Sequence, residues 1–573
     1  MDVVAGRSKI ATKFGIVAAS QPLAARAGVQ VLERGGNAID AAIAANAVMG
    51  VVEPHMNGIG GDLFAVIYIA ETGGIARPGG LHGLNSGGWS PKGLTPAFLR
   101  QKGLTEMPAS GIHTVTVPGA VAGWEVMRAR FGKLSMAELL APAIFYADDG
   151  FPVSEIIAGT WAGFTETLLP GATQTNLAKT YFANGRAPYA GEVFRNPDLA
   201  GSLRLIAEKG RAAFYEGKIA DRILVASRDH GGSMTAADLK EFEPEWVDPV
   251  STTYRGWTVY ELPPNTQGIA ALMMLDLMDQ FPLGEYGFHS AKALHVMIEA
   301  KKLAYADMLR YVGDPRFATN SVVSGFSRTV DGLGPTNKAY AEQRARLIDR
   351  AKAASRVEPS VFEGLTNSTG GDTIYLSAID KDGNIVSLIQ SIYGGFGSGL
   401  VPPGTGFALH NRGALFTLDE AHPNALAPRK RPLHTIIPGF MQKGEVRIGF
   451  GIMGGFNQAQ AHAQFVANIA DFGCDIQQAL EAGRFTKGTF TGCDVCVEAL
   501  VPESVRQELA ALGHDIDVVP PRTGTFGYGQ AVMSDGSGVH FGASEPRHDG
   551  AAIPEAPPVF RVSRTKVPRQ NRK

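Results

Sequence analysis

Gly370-Gly-Asp-Thr-Ile-Tyr-Leu-Ser-Ala-Ile-Asp-Lys-Asp-Gly-Asn-Ile-Val-Ser-Leu-Ile-Gln-Ser391 is the stretch on which the fold turns. Thr373–Ile379 is a short apolar, β-branched run. Asp380-Lys-Asp-Gly-Asn384 is turn chemistry, and Ile385–Ser391 is a second run of the same kind, so the stretch predicts a β-hairpin. Ahead of it, residues 355–372 form an irregular polar segment that reads as flexible. A threonine that opens a strand after such a segment has two readings. One is an ordinary strand residue. The other is a nucleophile exposed by cutting the Asp372–Thr373 bond, which would set a free α-amine beside the Thr373 hydroxyl as its general base. An α-amine titrates at about 7.7–8.0, which suits that task near neutral pH.

Around this hairpin the pattern changes sign. Ala24, Ala27, Gly28, Val31 and Leu32 follow helical spacing and stop at Gly35-Gly36, and Asn37 caps a second helix through Ala41, Ala44, Ala45 and Val48. The small residues of both predict close helix-on-helix packing. Ser135 with Glu138 forms a capping box. Further helices are expected at 289–312, at 337–355 and, with breaks, at 197–229. After the hairpin come a strand near Glu445–Phe450, a helix near Gln458–Ala470 and a closing hairpin around Asp535-Gly-Ser-Gly538. Helices therefore gather before residue 372 and strands after it, with some mixing, and no internal repeat is present.

Composition excludes several classes. A formal net charge of −2 offers no basic field for nucleic acid or anionic lipid, and the basic residues of 561–573 read as a solvated tail. No run of 18 apolar residues occurs, and Met1–Gly15 lacks the apolar block of a signal peptide, so a cytoplasmic protein without a membrane span is expected. Nucleophile elbow, H-E-x-x-H and P-loop lysine motifs are absent. Cys493 and Cys496 form a C-x-x-C, open to a redox or zinc reading, but the segment alternates as a strand and has no second pair. Gly449-Phe-Gly-Ile-Met-Gly454 fits a dinucleotide loop. A glycine turn before a helix equally supplies backbone N–H groups to an oxyanion.

With these residues in view, the chain resembles the γ-glutamyltransferase family. The Thr373–Ser391 stretch and Gly394-Gly-Phe-Gly-Ser-Gly399 resemble the start of that family's small subunit. Gly35–Ala42, Glu53-Pro-His-Met-Asn-Gly-Ile-Gly-Gly-Asp62, Val117–Trp124, Arg429–Leu433 and Gly542–Arg547 follow in family order across nearly the whole chain. The resemblance implies an α+β fold, a four-layer αββα N-terminal-nucleophile sandwich with a helix-rich large-subunit portion. It implies self-cleavage between Asp372 and Thr373 into a large subunit, 1–372, and a small subunit, 373–573. The two would form a heterodimer within one composite fold, with further oligomerisation left open. Thr373 becomes the nucleophile, Ser391 the hydroxyl beside it where the family has threonine, and Gly454-Gly455 the oxyanion pair. No metal or cofactor is expected, and the partner is a small-molecule amide.

The departures bear on the substrate. Gly87 lies nearest the position of the family's carboxylate-binding arginine, with no arginine beside it in sequence. Leu415 stands for an aspartate, His434-Thr435 for a serine pair and Tyr393 for an asparagine. A zwitterionic γ-glutamyl group without those partners loses several kcal/mol. The pattern is similar to the branch of oxamate amidohydrolases and certain cephalosporin or glutaryl acylases. Arg412 and His434, with Tyr393 and Thr435, then become candidate contacts for a small acidic acyl group, His434 being equally readable as packing. The alternatives are a true γ-glutamyltransferase or glutathione hydrolase with a rearranged site, a non-catalytic binding protein of the same fold and, last, a dinucleotide enzyme.

Overall fold

The computed structural model describes residues 6–71, 79–168, 175–317, 338–358, 372–490 and 492–560. Strand Asp372–Ile379 lies inside a seven-stranded sheet, between Ile16–Ala19 and Ile385–Tyr393. Its alternate side chains serve two cores. Ile374, Leu376 and Ala378 pack with Val17, Leu63 and Val386 against helices Pro22–Glu33 and Ala38–Val52. Tyr375 and Ile379 face the other way, with Phe64, Ile389, Phe440 and Val532, into the space between two sheets. Burial on both faces is why this strand reads as a nearly unbroken apolar run.

The second seven-stranded sheet runs Ile10–Thr12, His540–Ser544, Gly529–Ser534, Val446–Ile452, Gly439–Lys443, Trp257–Glu261, Val250–Tyr254. Its outer face is covered by Gly268–Met278, Ala291–Tyr311 and Asn457–Ala470. The order helix, sheet, sheet, helix is the expected four-layer αββα sandwich. Close packing of the first two helices also holds: a Cβ on Gly28 would come 2.9 Å from the Ala41 carbonyl oxygen. Capping boxes form at Asn37–Asp40 and Ser135–Glu138.

Helices and strands mix across residue 372 further than expected. Asp62–Ile69, Gly80–Ser86, Glu245–Val247, Val250–Tyr254 and Trp257–Glu261 precede it, and each large sheet mixes strands from both sides of Thr373. Asp62–Ile69 is buried on both faces, and period-2 alternation vanishes from such a strand. The helix expected at 337–355 shortens to Lys338–Ala345 among the described residues. Residues 359–371 of the polar segment and the basic tail lie outside the described residues.

Both competing motif readings are resolved. Strand Val446–Ile452 is antiparallel to both neighbours, so no βαβ unit exists for a dinucleotide. Its glycines have separate causes: a Cβ on Gly451 would overlap the Tyr375 ring of the facing sheet, and Gly454 turns the chain at φ 127°. Cys496 lies in strand Asp494–Glu498, where burial pushes its thiol up to about 11, away from thiolate chemistry. No helix among the described residues is long and apolar enough to cross a membrane.

Candidate active site

A β-bulge brings the two hydroxyls together. Asp372 pairs with Tyr393, yet Ile374 pairs with Gln390, so Ser391 and Ile392 together oppose Thr373. The bulged backbone bonds outside the ladder, Ile392 N–H to the Met56 carbonyl and the Ile392 carbonyl from Asn411 N–H. Thr373 Oγ1 then lies 3.1 Å from Ser391 Oγ, and Thr373 is only 1% exposed.

Ser391 Oγ also accepts the Tyr393 N–H at 2.8 Å and Arg412 Nη2 at 3.0 Å. Tyr393 takes φ 75° as the chain leaves the strand, which sets its ring 4.4 Å from the Arg412 guanidinium carbon. Arg412 Nη1 donates to Thr435 Oγ1 at 2.7 Å. Three of the expected binding residues, Tyr393, Arg412 and Thr435, thus meet one turn of chain from the Thr373 hydroxyl. Arg412 is fully buried, and burial lowers its guanidinium to about 10, still charged at neutral pH. Among the described residues, the other buried arginines all have carboxylate partners: Arg431 has Glu245, Arg484 has Glu545, and Arg547 has Glu498 and Glu545. Arg412 has none, and its Nε has no acceptor.

His434 is turned away from this group. Its Nε2 lies 2.9 Å from Asp62 Oδ2, and its ring stands edge-on to Phe64 with no exposure. Asp62 Oδ1 accepts Gly88 N–H at 2.9 Å, and His410 Nδ1 lies 3.3 Å from Oδ2. Burial opposes the Asp62 charge, but His410 and His434 on its oxygens hold it below the usual carboxylate range. Burial, reinforced by the Arg412 charge, lowers His434 to about 3, so it stays a neutral imidazole. With its ring given to Asp62, His434 presents no face to an acyl group, and its packing reading fits the geometry.

Sequence reasoning missed three members. Asp62 gathers His434, His410 and the Gly88 N–H. Gln267 Nε2 donates both to the Thr435 carbonyl and to the Gly455 carbonyl, the latter at 2.7 Å. Its signal was faint: a polar Asn265-Thr-Gln triplet between a strand and the wholly buried helix Gly268–Met278. Arg431, distant in sequence, donates from Nε to the Gly87 carbonyl at 3.0 Å, so an arginine does approach that position, bound to Glu245. Leu415 is buried in the turn Arg412–Leu415 and brings no charge. Gly454 and Gly455, at φ 127° and 58°, form a turn that bonds Asn457 N–H to the Gly454 carbonyl at the start of helix Asn457–Ala470.

A strand-opening threonine, a neighbouring hydroxyl and a glycine turn before a helix are the parts of an N-terminal nucleophile site. The sequence model described as Gamma-glutamyltranspeptidase matches residues 24–555. The chain belongs to the γ-glutamyltranspeptidase family. It is an N-terminal nucleophile hydrolase of that family, whose members include proenzyme amidohydrolases and acylases. It is 37% identical over 552 residues to the glutathione hydrolase-like YwrD proenzyme of Bacillus subtilis, covering 96% of this chain and 99% of that protein. It is 33% identical over 548 residues to the oxamate amidohydrolase proenzyme of Klebsiella pneumoniae, covering 94% and 98%. Its fold is similar to the crystal structure of cephalosporin acylase from Bacillus halodurans, at TM-score 0.85 and 42% identity, covering 96% of this chain and 97% of that one.

Proposed function

We propose that this γ-glutamyltranspeptidase-family hydrolase cuts itself between Asp372 and Thr373 and then hydrolyses an amide whose acyl group carries a carboxylate. The two pieces, 1–372 and 373–573, would remain a heterodimer. Thr373 Oγ1 attacks the amide carbonyl and its freed α-amine takes the proton. The N–H groups of Gly454 and Gly455 stabilise the oxyanion, and the amine leaves with the proton. Water then adds to the threonyl ester and releases the acid. Ser391 orients the nucleophile. Transfer to an amine instead of water uses the same ester.

The observation that carries the acidic acyl group is Arg412, a buried charge beside a nucleophile hydroxyl with no carboxylate in contact, the Asp62 charge acting on it only from farther off. An unpaired buried ion is costly, and a substrate carboxylate offsets that cost. The relative named oxamate amidohydrolase supports an acidic acyl group from a separate direction. The glutathione hydrolase reading draws on other relatives, but Gly87, Leu415 and Tyr393 leave it without the charges that a γ-glutamyl head requires.

Intact mass with N-terminal sequencing, followed by turnover of acidic, neutral and γ-glutamyl anilides, tests the proposal. A small piece beginning Thr373-Ile-Tyr-Leu with acidic anilides turned over fastest is the expected result. A chain that stays whole and inert overturns it.

A further inference from the structure

Away from the nucleophile, residues 420–430 and helix Pro96–Gln101 face each other across an open cleft of about 470 Å³, within the size range of small-molecule sites. Its walls are mostly apolar: Pro96, Ala97, Phe317, Pro423 and Leu426 all line it. Leu426 belongs to a small core with Leu94, Leu99, Phe416 and Leu418, so the cleft rests on packed structure. None of Thr373, Ser391, Arg412 and Thr435 lines it.

One charge in this cleft stands apart. Lys430 lines it and is only 5% exposed, with its Nζ 5.3 Å from the centre of the Phe317 ring. Ser90 N–H donates to the Lys430 carbonyl at 2.8 Å and the Ser90 carbonyl accepts Arg429 N–H, which fixes the backbone there. The neighbouring cations are all paired: Arg100 with Glu420, Arg316 with Asp314, and Arg429 with Asp238 and Glu241. Among the described residues, no oxygen accepts a hydrogen bond from Lys430 Nζ and no carboxylate pairs with it. Asp314 acts on it only from farther off, since its oxygens are taken by the Arg316 side chain and the Arg431 N–H. Burial pulls the Lys430 ammonium below the ordinary lysine range. The Phe317 ring eases one side of the charge and leaves the other N–H groups without an acceptor.

We propose that this cleft is a second binding site, for a small molecule that carries one carboxylate on an apolar body, with Lys430 holding the carboxylate. A carboxylate offsets the cost of the buried ammonium, and the proline, alanine and leucine walls take the apolar body. One negative charge is what the site balances. A phosphate monoester brings a second at neutral pH, which would lie uncompensated near Glu420 and Asp314. Because the nucleophile residues lie elsewhere, a ligand held here leaves Thr373 free.

Isothermal titration of the purified enzyme with 4-phenylbutyrate, acetate, 4-phenylbutan-1-ol and phenyl phosphate tests the site. 4-Phenylbutyrate should bind about tenfold or more tightly than acetate, which lacks the body, and than the alcohol, which lacks the charge. Lys430→Met keeps an aliphatic stem beside Phe317 and should weaken 4-phenylbutyrate by about tenfold or more while leaving the alcohol unchanged. Ala97→Trp, at an exposed helix position, fills the cleft with Lys430 still in place, and should weaken acid and alcohol alike. It alone decides if Lys430→Met does not fold. No binding of 4-phenylbutyrate, or binding that either folded variant keeps in full, overturns the site. Tighter binding of phenyl phosphate than of 4-phenylbutyrate overturns the choice of a carboxylate.

Discussion

Gln267 Nε2 holds the carbonyl of Gly455 at 2.7 Å. The same amide bonds the Thr435 carbonyl, so one buried side chain joins the glycine turn to the stretch that seats Arg412. Loss of that bridge takes the Gln267 bond from the buried Thr435 carbonyl and leaves the Gly455 carbonyl with only the Gln458 N–H at 3.3 Å, at a cost of about 1–3 kcal/mol, and loosens the turn. Gln267→Leu should still fold, unfold at lower denaturant, and lose about tenfold or more in kcat, less than removing an oxyanion donor outright. Urea titration beside steady-state kinetics checks it; unchanged kcat in a destabilised variant would limit Gln267 to a structural part.

Thr373→Ala should remain a single chain and show no turnover, whereas Thr373→Ser keeps a hydroxyl and should still cut. Ser391→Ala removes the acceptor of both Arg412 Nη2 and Tyr393 N–H, and should slow turnover by about ten- to a hundredfold. Intact mass and anilide kinetics on the same preparations separate cutting from catalysis.

The glycines should part into two groups. A Cβ on Gly88 would overlap the Val117 carbonyl, so Gly88→Ala should not accumulate as soluble protein. A Cβ on Gly454 meets nothing nearer than 3.3 Å, the Asn457 side chain, but φ 127° strains it. Gly454→Ala should fold and lose mainly kcat, read by expression yield and kinetics together.

Acid should unfold this protein early. Burial lowers His55 and His434 to about 3 and His289 to about 4. In the unfolded chain each takes a proton near 6.5, which the folded chain refuses until far lower pH. Their contribution is therefore complete above about pH 6.5 and falls, by about 1.4 kcal/mol per group per pH unit, as pH drops toward 4. His55 sits among Trp161, Phe164 and Phe396 with both ring nitrogens lacking a partner. His55→Phe should raise stability and flatten this acid limb. Denaturant unfolding of the uncut Thr373→Ala background at pH 7, 6 and 5 measures the slope; an unchanged slope would refute the role of His55.

What the sequence made legible was local. The hairpin at Thr373 announced itself because its turn residues and apolar runs lie side by side. The caps at Asn37 and Ser135 did so because a cap is written within four residues. Strand Asp62–Ile69 was silent, being buried on both faces. Asp62, Gln267 and Arg431 act on residues far away in the chain, where no spacing rule reaches. Arg412 was readable as a charge near the site, but its lack of a contacting carboxylate is a property of packing. The bulge opposite Thr373 was equally hidden, since one extra residue in a ladder leaves no mark in composition.

Both large sheets are woven from strands on either side of Thr373. A cut before that residue would therefore sever a covalent link without creating a surface along which the halves can part. What results is a nicked domain rather than an assembly of two bodies. Dilution should not release one piece from the other, and separation should coincide with loss of the whole core. Pieces made apart and mixed after folding should not find each other, because each lacks the neighbours that complete its sheets. For a cut before Thr373 the order of events follows: the chain would have to fold first and be cut afterwards.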